Sequence, residues 1–196
     1  VAGLIHPAAG TLSVLGTTPR RARPSLGYMF ARDALFPWRT ALSNVEIGLE
    51  LKNVPASVRR EKAAALLKRL GLEAAADKIP AHLSHGMRQR VALARTWATD
   101  PMLLLMDEPF AALDAQTREV VRAEFLEFWE SSRRTVLFVT HDLDEALLLA
   151  DRVILLGDGD IRREVVVPFE RPRLIESLEK NEAFIAMRED LRKYLA

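Results

Sequence analysis

The chain has 196 residues, 49% of them hydrophobic and 28% charged, with a formal net charge of +1 at pH 7. That is ordinary globular usage for one domain, and the near-balanced charge makes no electrostatic case for nucleic acid. Cysteine is absent, which excludes a disulfide framework or thiol chemistry and fits a reducing compartment. No apolar run approaches the ~20 residues of a membrane span, and no charged-then-apolar signal segment opens the chain.

Val1 to Ile5 (VAGLI) reads as the end of a helix stopped by His6-Pro7. Gly10 to Gly16 (GTLSVLG) reads as a short strand, Thr17 to Pro24 as a basic loop, and Leu26 to Phe30 (LGYMF) as a buried strand. Ala34 to Ser43 (ALFPWRTALS) is apolar but broken by Pro37. Its Phe36-Pro37-Trp38 cluster reads as an exposed partner patch or as a tucked-in core turn. Ser43-Asn44-Val45-Glu46 has the form of a capping box, with Ile47 and Leu51 continuing the apolar side of the helix it opens. Ser57 then reads as the cap of a helix running to Leu70, with Ala63, Leu66, Leu67 and Leu70 on one face and Gly71 as its stop.

The stretch from Leu83 to Asp114 (LSHGMRQRVALARTWATDPMLLLMDEPFAALD) organises the rest. A helix begins near Gly86, carries Arg88, Arg90 and Arg95 on a stripe of Val91, Leu93, Ala94 and Trp97, and ends at Asp100-Pro101. Met102 to Met106 is a continuous apolar run, as expected of a strand buried on both faces of a parallel sheet. Asp107 and Glu108 follow at its carboxyl end, where ligands bind in open α/β sheets. Two acids there read either as a solvated strand end or as a pair in which the first holds Mg²⁺ on nucleotide phosphates and the second orients an attacking water. Further along, Gln116 to Trp129 and Asp144 to Ala150 are amphipathic helices, and Thr135 to Val139 and Val153 to Leu156 are strands. Asp158-Gly159-Asp160 is a hairpin turn into Ile161 to Val167. Glu170 to Ala196 is a charged helical tail. His6 and His82 read as surface or turn residues, and no Cys/His spacing suggests zinc.

Leu83-Ser84-His85-Gly86-Met87 resembles the signature motif of the ATP-binding-cassette (ABC) ATPases, usually LSGGQ or LSGGM. Asp107-Glu108 resembles their Walker B acids, Ala111-Ala112-Leu113-Asp114 their D-loop, and Thr140-His141-Asp142 their H-loop. FPWRT, THDLDEALLLADRV and the long tail resemble most the importers of the nitrate/sulfonate/taurine group. The resemblance covers nearly the whole chain. It implies Glu108 and His141 as catalytic residues, Asp107 as the Mg²⁺ ligand, and Ser84, Gly86 and Asp114 as nucleotide-contacting residues across a dimer.

Three departures from the family pattern stand out. No Gly-Lys pair occurs, so the 196 residues hold no G-x-x-x-x-G-K-[ST] phosphate loop. The resemblance implies that this loop lies just upstream of Val1. Ala31 stands where the family has the Q-loop glutamine, and His85 stands where the signature has a glycine. A glycine there is free to take positive φ, so a histidine is expected to obstruct.

The fold implied is α/β, a P-loop NTPase-like (RecA-like), mostly parallel sheet with helices on both faces, expected to be N-terminally incomplete. One ABC ATPase domain spans 1–196, with an inserted helical subdomain at about 43–98 and the tail at about 170–196. The implied function is the ATP-binding and hydrolysing subunit of an importer of a small solute of the nitrate, sulfonate or taurine kind, with ATP and Mg²⁺ as cofactors. The implied partners are a second ATPase subunit, transmembrane permease subunits and, indirectly, a solute-binding protein, with no nucleic acid. The implied location is the cytoplasmic face of the cell membrane. Two alternatives stay open: a degenerate, non-hydrolysing ABC module that keeps the permease contact, and a non-transport ABC ATPase.

Overall fold

Three short apolar runs build a parallel sheet in the order β1 (Leu26–Met29), β2 (Leu103–Asp107), β3 (Thr135–Val139). Met29 pairs with Met106, and Asp107 with Val139. β2 is central, and its Leu104, Leu105 and Met106 are buried, as an all-apolar strand requires. β3 is an edge strand whose residues alternate between exposed and half-buried. The computed structural model describes residues 1–195 and divides into two units, 1–139 and the remainder from Thr140.

In the first unit the helices are α1 (Pro19–Ala22), α2 (Ala41–Leu51), α3 (Ala56–Arg69), α4 (His85–Ala98) and α5 (Ala115–Glu130). Their starts follow cap chemistry: Thr40, Ser84 and Asp114 each accept from a backbone N–H three residues on, at 3.2, 3.2 and 3.0 Å. α3 ends where Gly71, at φ 67°, turns the chain so that Leu72 N–H donates back to the Leu67 carbonyl. An aromatic cluster joins these elements. Trp97 of α4 meets Phe128 of α5 edge-on at 4.3 Å, and Phe110, fully buried, meets Phe125 and Phe138 at 6.0 and 5.8 Å. Such pairs contribute about 0.5–1.5 kcal/mol each beyond their burial.

Several local expectations are corrected. Val1 to Ile5 is not a helix end, and Gly3 sits at φ 68°. Gly10 to Gly16 is not a strand. Leu15 and Gly16 both take positive φ and fold Val14 back onto Thr17 in a two-residue turn. The basic loop contains α1, because Pro19 can open a helix at its first turn. The cap of α2 is Thr40, three residues before Ser43, and Leu51 is 80% exposed rather than on the apolar side. Ser57 lies inside α3, whose N-cap is Pro55.

The second unit holds α6 (Leu143–Leu149), β4 (Arg152–Gly157), β5 (Asp160–Val166), α7 (Ile175–Leu178) and α8 (Glu182–Arg192). β4 and β5 form an antiparallel hairpin closed by Asp158 and Gly159, both at positive φ, as a two-residue turn demands. The buried Arg173 donates to the Leu147, Leu148 and Ala150 carbonyls and closes the C-terminal end of α6. Ala196, the last residue of the predicted tail, lies outside the described residues. Among the described residues no helix is long and apolar enough to cross a membrane.

Candidate functional site

β2 delivers Asp107 to its carboxyl end, exposed, with the Tyr28 hydroxyl of β1 donating to Oδ2 at 3.4 Å. Burial, and then the Asp107 charge, push the Tyr28 phenol above its ordinary range. Glu108 follows at φ 43°, a left-handed conformation that side-chain-bearing residues adopt only when surroundings enforce it. The enforcement is visible. Glu108 N–H donates to the Val139 carbonyl of β3 at 2.9 Å, and the Glu108 carbonyl accepts from Ala111 N–H at 3.2 Å. An open cleft of about 280 Å³ lies beside this edge, lined in part by Gly3, Tyr28, Met106, Asp107 and Val139.

No group of three or more His, Cys, Asp or Glu side chains is arranged for a metal among the described residues. The exposed Asp107 carboxylate is of the kind Mg²⁺ takes, since that ion binds through one or two carboxylates plus phosphate oxygens and water. The exposed Asp107 carboxylate would be the protein ligand.

The N-terminal turn of α4 carries the signature residues. Ser84 is exposed, and its hydroxyl caps the helix at Met87 N–H. His85 is the first helical residue and does not take positive φ, while its side chain stands where the signature glycine carries none. Its Nδ1 lies 3.1 Å from Nη2 of Arg88. A guanidinium only donates, so Nδ1 accepts and the ring proton sits on Nε2, which is buried without a partner. Gly86 is buried, and a Cβ there would come within 2.5 Å of Thr117 Cγ2. Thr117 is the residue whose N–H Asp114 caps, and that bond holds the Asp114 carboxyl below its ordinary range. Gly86 and Asp114 thus meet at Thr117, with Ser84 capping the same turn of α4. His141 belongs to the second unit, exposed, one residue before Asp142, the N-cap of α6.

Ala31, half-buried after β1, offers no polar side chain. The loop it opens is held to α4 instead. Arg88 Nε donates to Asp33 at 2.9 Å, and Arg95 donates to the Asp33 and Ala34 carbonyls at 2.8 and 2.7 Å. The Phe36 and Trp38 rings lie 5.6 Å apart, tilted at 59°, with Trp38 74% exposed.

Two residues of this site escaped sequence reasoning. The buried Asn44 accepts from Phe36 N–H and donates to the Phe36, Arg39 and Thr40 carbonyls, which clamps the aromatic loop. Gln89, on the buried side of α4, donates to the Pro109 carbonyl. In the sequence Gln89 continues the signature-like motif as part of Arg88-Gln89-Arg90, but nothing local names its partner.

Comparison with known proteins adds identity to this geometry. Residues 1–111 match a family model described as ABC transporter. A relative from Methanocaldococcus jannaschii, described as an uncharacterized ABC transporter ATP-binding protein, is 47% identical over 181 residues, covering 91% of this chain and 68% of its own. A taurine import ATP-binding protein from Yersinia pestis is 38% identical over 198 residues, covering 97% of this chain and 77% of its own. The solved dimeric structure of an ATP-binding cassette in a post-hydrolysis state, bound to ADP and Pi, superposes with a TM-score of 0.67 at 36% identity, covering 78% of this chain and 67% of that one.

Proposed function

The chain belongs to the ABC transporter family, as an ATPase of the nitrate, sulfonate and taurine importer group, and from that premise we propose that it hydrolyses ATP to energise uptake of a small solute of that kind. The observation that supports this reading most is the end of β2. Asp107 there is open to a cation, and Glu108 is locked by β3 into a left-handed turn beside it.

In this reading Asp107 would hold Mg²⁺, which when bound would supply positive charge against the charge that develops on the phosphates. Glu108 accepts a hydrogen bond from the attacking water and sets its direction. His141 bonds the γ-phosphate. Two copies face each other, so that Ser84 and Gly86, at the positive N-terminal end of α4, serve the nucleotide held by the partner. Asp114 joins the two sites. The helical region at about 43–98, with the exposed Phe36 and Trp38 beside it, docks on the permease at the cytoplasmic face of the membrane. A solute-binding protein delivers the cargo.

The test is transport. Membrane vesicles bearing this chain with its cognate permease, supplied with MgATP, are expected to take up labelled nitrate, taurine or a short sulfonate. ATP hydrolysis without uptake of any of these would overturn the importer reading. A second reading, a permease-docking module that does not hydrolyse ATP, is favoured by one observation: Ala31 has no side chain to touch metal or water. Ala31→Gln separates the two, because only a hydrolysing protein shows a larger rise in permease-stimulated than in basal rate.

A further inference from the structure

We propose that Gln89 is a positioning residue for Glu108, acting through the Pro109 peptide; the proposal rests on the reading of Glu108 as the residue that orients the water.

Gln89 is 1% exposed, in the middle of α4. Its Nε2 donates to the Pro109 carbonyl, while its Oε1 is buried with no partner. A methionine of similar volume would pack there without leaving an acceptor unsatisfied. Packing alone therefore does not account for an amide at this place. The bond it donates does. Pro109 has no N–H, so the turn after Glu108 lacks one of its own anchors. Glu108 meanwhile sits at φ 43°, where outside constraint must hold it.

The constraint comes from three sides. β3 supplies the Val139 carbonyl to Glu108 N–H, and α5 supplies Arg118, whose Nε donates to the Phe110 carbonyl at 3.2 Å. α4 supplies Gln89. The same helix bears Ser84 and Gly86 at its N-terminal turn, so any shift of that turn along the helix axis reaches Glu108 through one side chain. Gln89 touches no reacting atom and acts only by fixing where the Glu108 carboxylate points.

Gln89→Met removes the donor at nearly constant volume. Gln89→Glu leaves a donor only while the new carboxyl is protonated. In the 196-residue chain, the one-bond Cα–Hα coupling of Glu108, which distinguishes left-handed from right-handed backbone, is the reporter. The native value is expected to be lost in Gln89→Met. In Gln89→Glu it is expected to be present at pH 5 and lost by pH 9. A residue that only fills space would move neither. An unchanged coupling in Gln89→Met, or one in Gln89→Glu that does not depend on pH, overturns the proposal. Should Gln89→Met fail to fold, the pH comparison in Gln89→Glu decides alone.

Hydrolysis separates this proposal from the reading beneath it, measured in a chimera carrying a G-x-x-x-x-G-K-[ST] phosphate-loop segment ahead of Val1. There Gln89→Met is expected to lower kcat about tenfold, with KM for MgATP within about twofold, the scale of a misplaced catalytic group. If Glu108→Gln keeps the parent rate, the reading of Glu108 falls while the backbone result stands. If Glu108→Gln abolishes turnover and Gln89→Met preserves kcat, the positioning role is overturned.

Discussion

The Cβ that Gly86 lacks would stand 2.5 Å from the γ-methyl carbon of Thr117, closer than real Cβ atoms come to a neighbour. The first turns of α4 and α5 therefore touch at a place that only glycine permits. Gly86→Ala is expected to destabilise the chain by about 1–3 kcal/mol through overpacking, less part of the about 0.5–1 kcal/mol that alanine gains over glycine in a helix. Adding Thr117→Ser, which deletes the methyl and keeps the hydroxyl, should restore most of the loss. Denaturant midpoints of the four proteins check it, and strictly additive effects would show that the contact does not matter.

Asn44 uses its whole carboxamide on the loop before it. Oδ1 accepts from Phe36 N–H at 2.8 Å, and Nδ2 donates to the Phe36, Arg39 and Thr40 carbonyls at 3.1, 3.0 and 3.0 Å. Asn44→Ala leaves these groups without their partner and is expected to cost about 2–3 kcal/mol. Asn44→Asp, nearly isosteric, should do no better, because it keeps the acceptor but sets a carboxylate against three carbonyl oxygens. In 19F-tryptophan spectra the Trp38 signal should narrow in both variants as the loop is released.

Asp114 gives the acid limb of stability a definite sign. Its folded pKa is depressed below the ordinary carboxyl value, first by the backbone bond from Thr117. The ionised cap therefore adds stability above the unfolded pKa, and that contribution is lost as pH falls through the folded value. Asp114→Asn caps without titrating. Its unfolding midpoint is expected to fall less steeply than the parent's below about pH 4. Parallel curves would remove the cap from the account.

Glu108→Gln in the chimera carrying a phosphate loop should keep MgATP binding and lose hydrolysis by roughly two orders of magnitude or more, the usual worth of a positioned general base. Binding by calorimetry and phosphate release are measured on the same preparation. A mutant that hydrolyses at the parent rate would assign the water to another group.

The sequence made legible whatever local chemistry decides. β2 and its two acids follow from an uninterrupted apolar run. α4 follows from Ser84 and the breaker at Asp100-Pro101, and the β4–β5 turn from Asp158-Gly159. It was silent where partners are distant in the chain. Ser43 to Glu46 has the S-x-x-E spacing of a capping box, yet the cap is Thr40, and Asn44 is occupied with carbonyls from Phe36 to Thr40. Gln89 reads only as a continuation of the signature, because the Pro109 carbonyl it serves lies across the fold. His85 stands in a glycine's place, and at the start of a helix its backbone takes an ordinary φ. The helical reading of Val1 to Ile5 failed at Gly3, whose left-handed φ of 68° breaks the helical path.

The outer edge of β3 carries a consequence for handling the protein. Thr135 to Val139 (TVLFV) has no charge and no proline, Leu137 and Val139 are 44% and 49% exposed, and no strand pairs with that edge among the described residues. Its open N–H and C=O groups are a template on which strands from other molecules can stack. Arg133 and Arg134 stand immediately before the strand, Arg134 in an ion pair with Asp100, and positive charge flanking such a strand disfavours stacking of like copies. Neutralising Arg133, remote from any nucleotide chemistry, should therefore bring thioflavin-positive aggregates on sooner in concentrated solution.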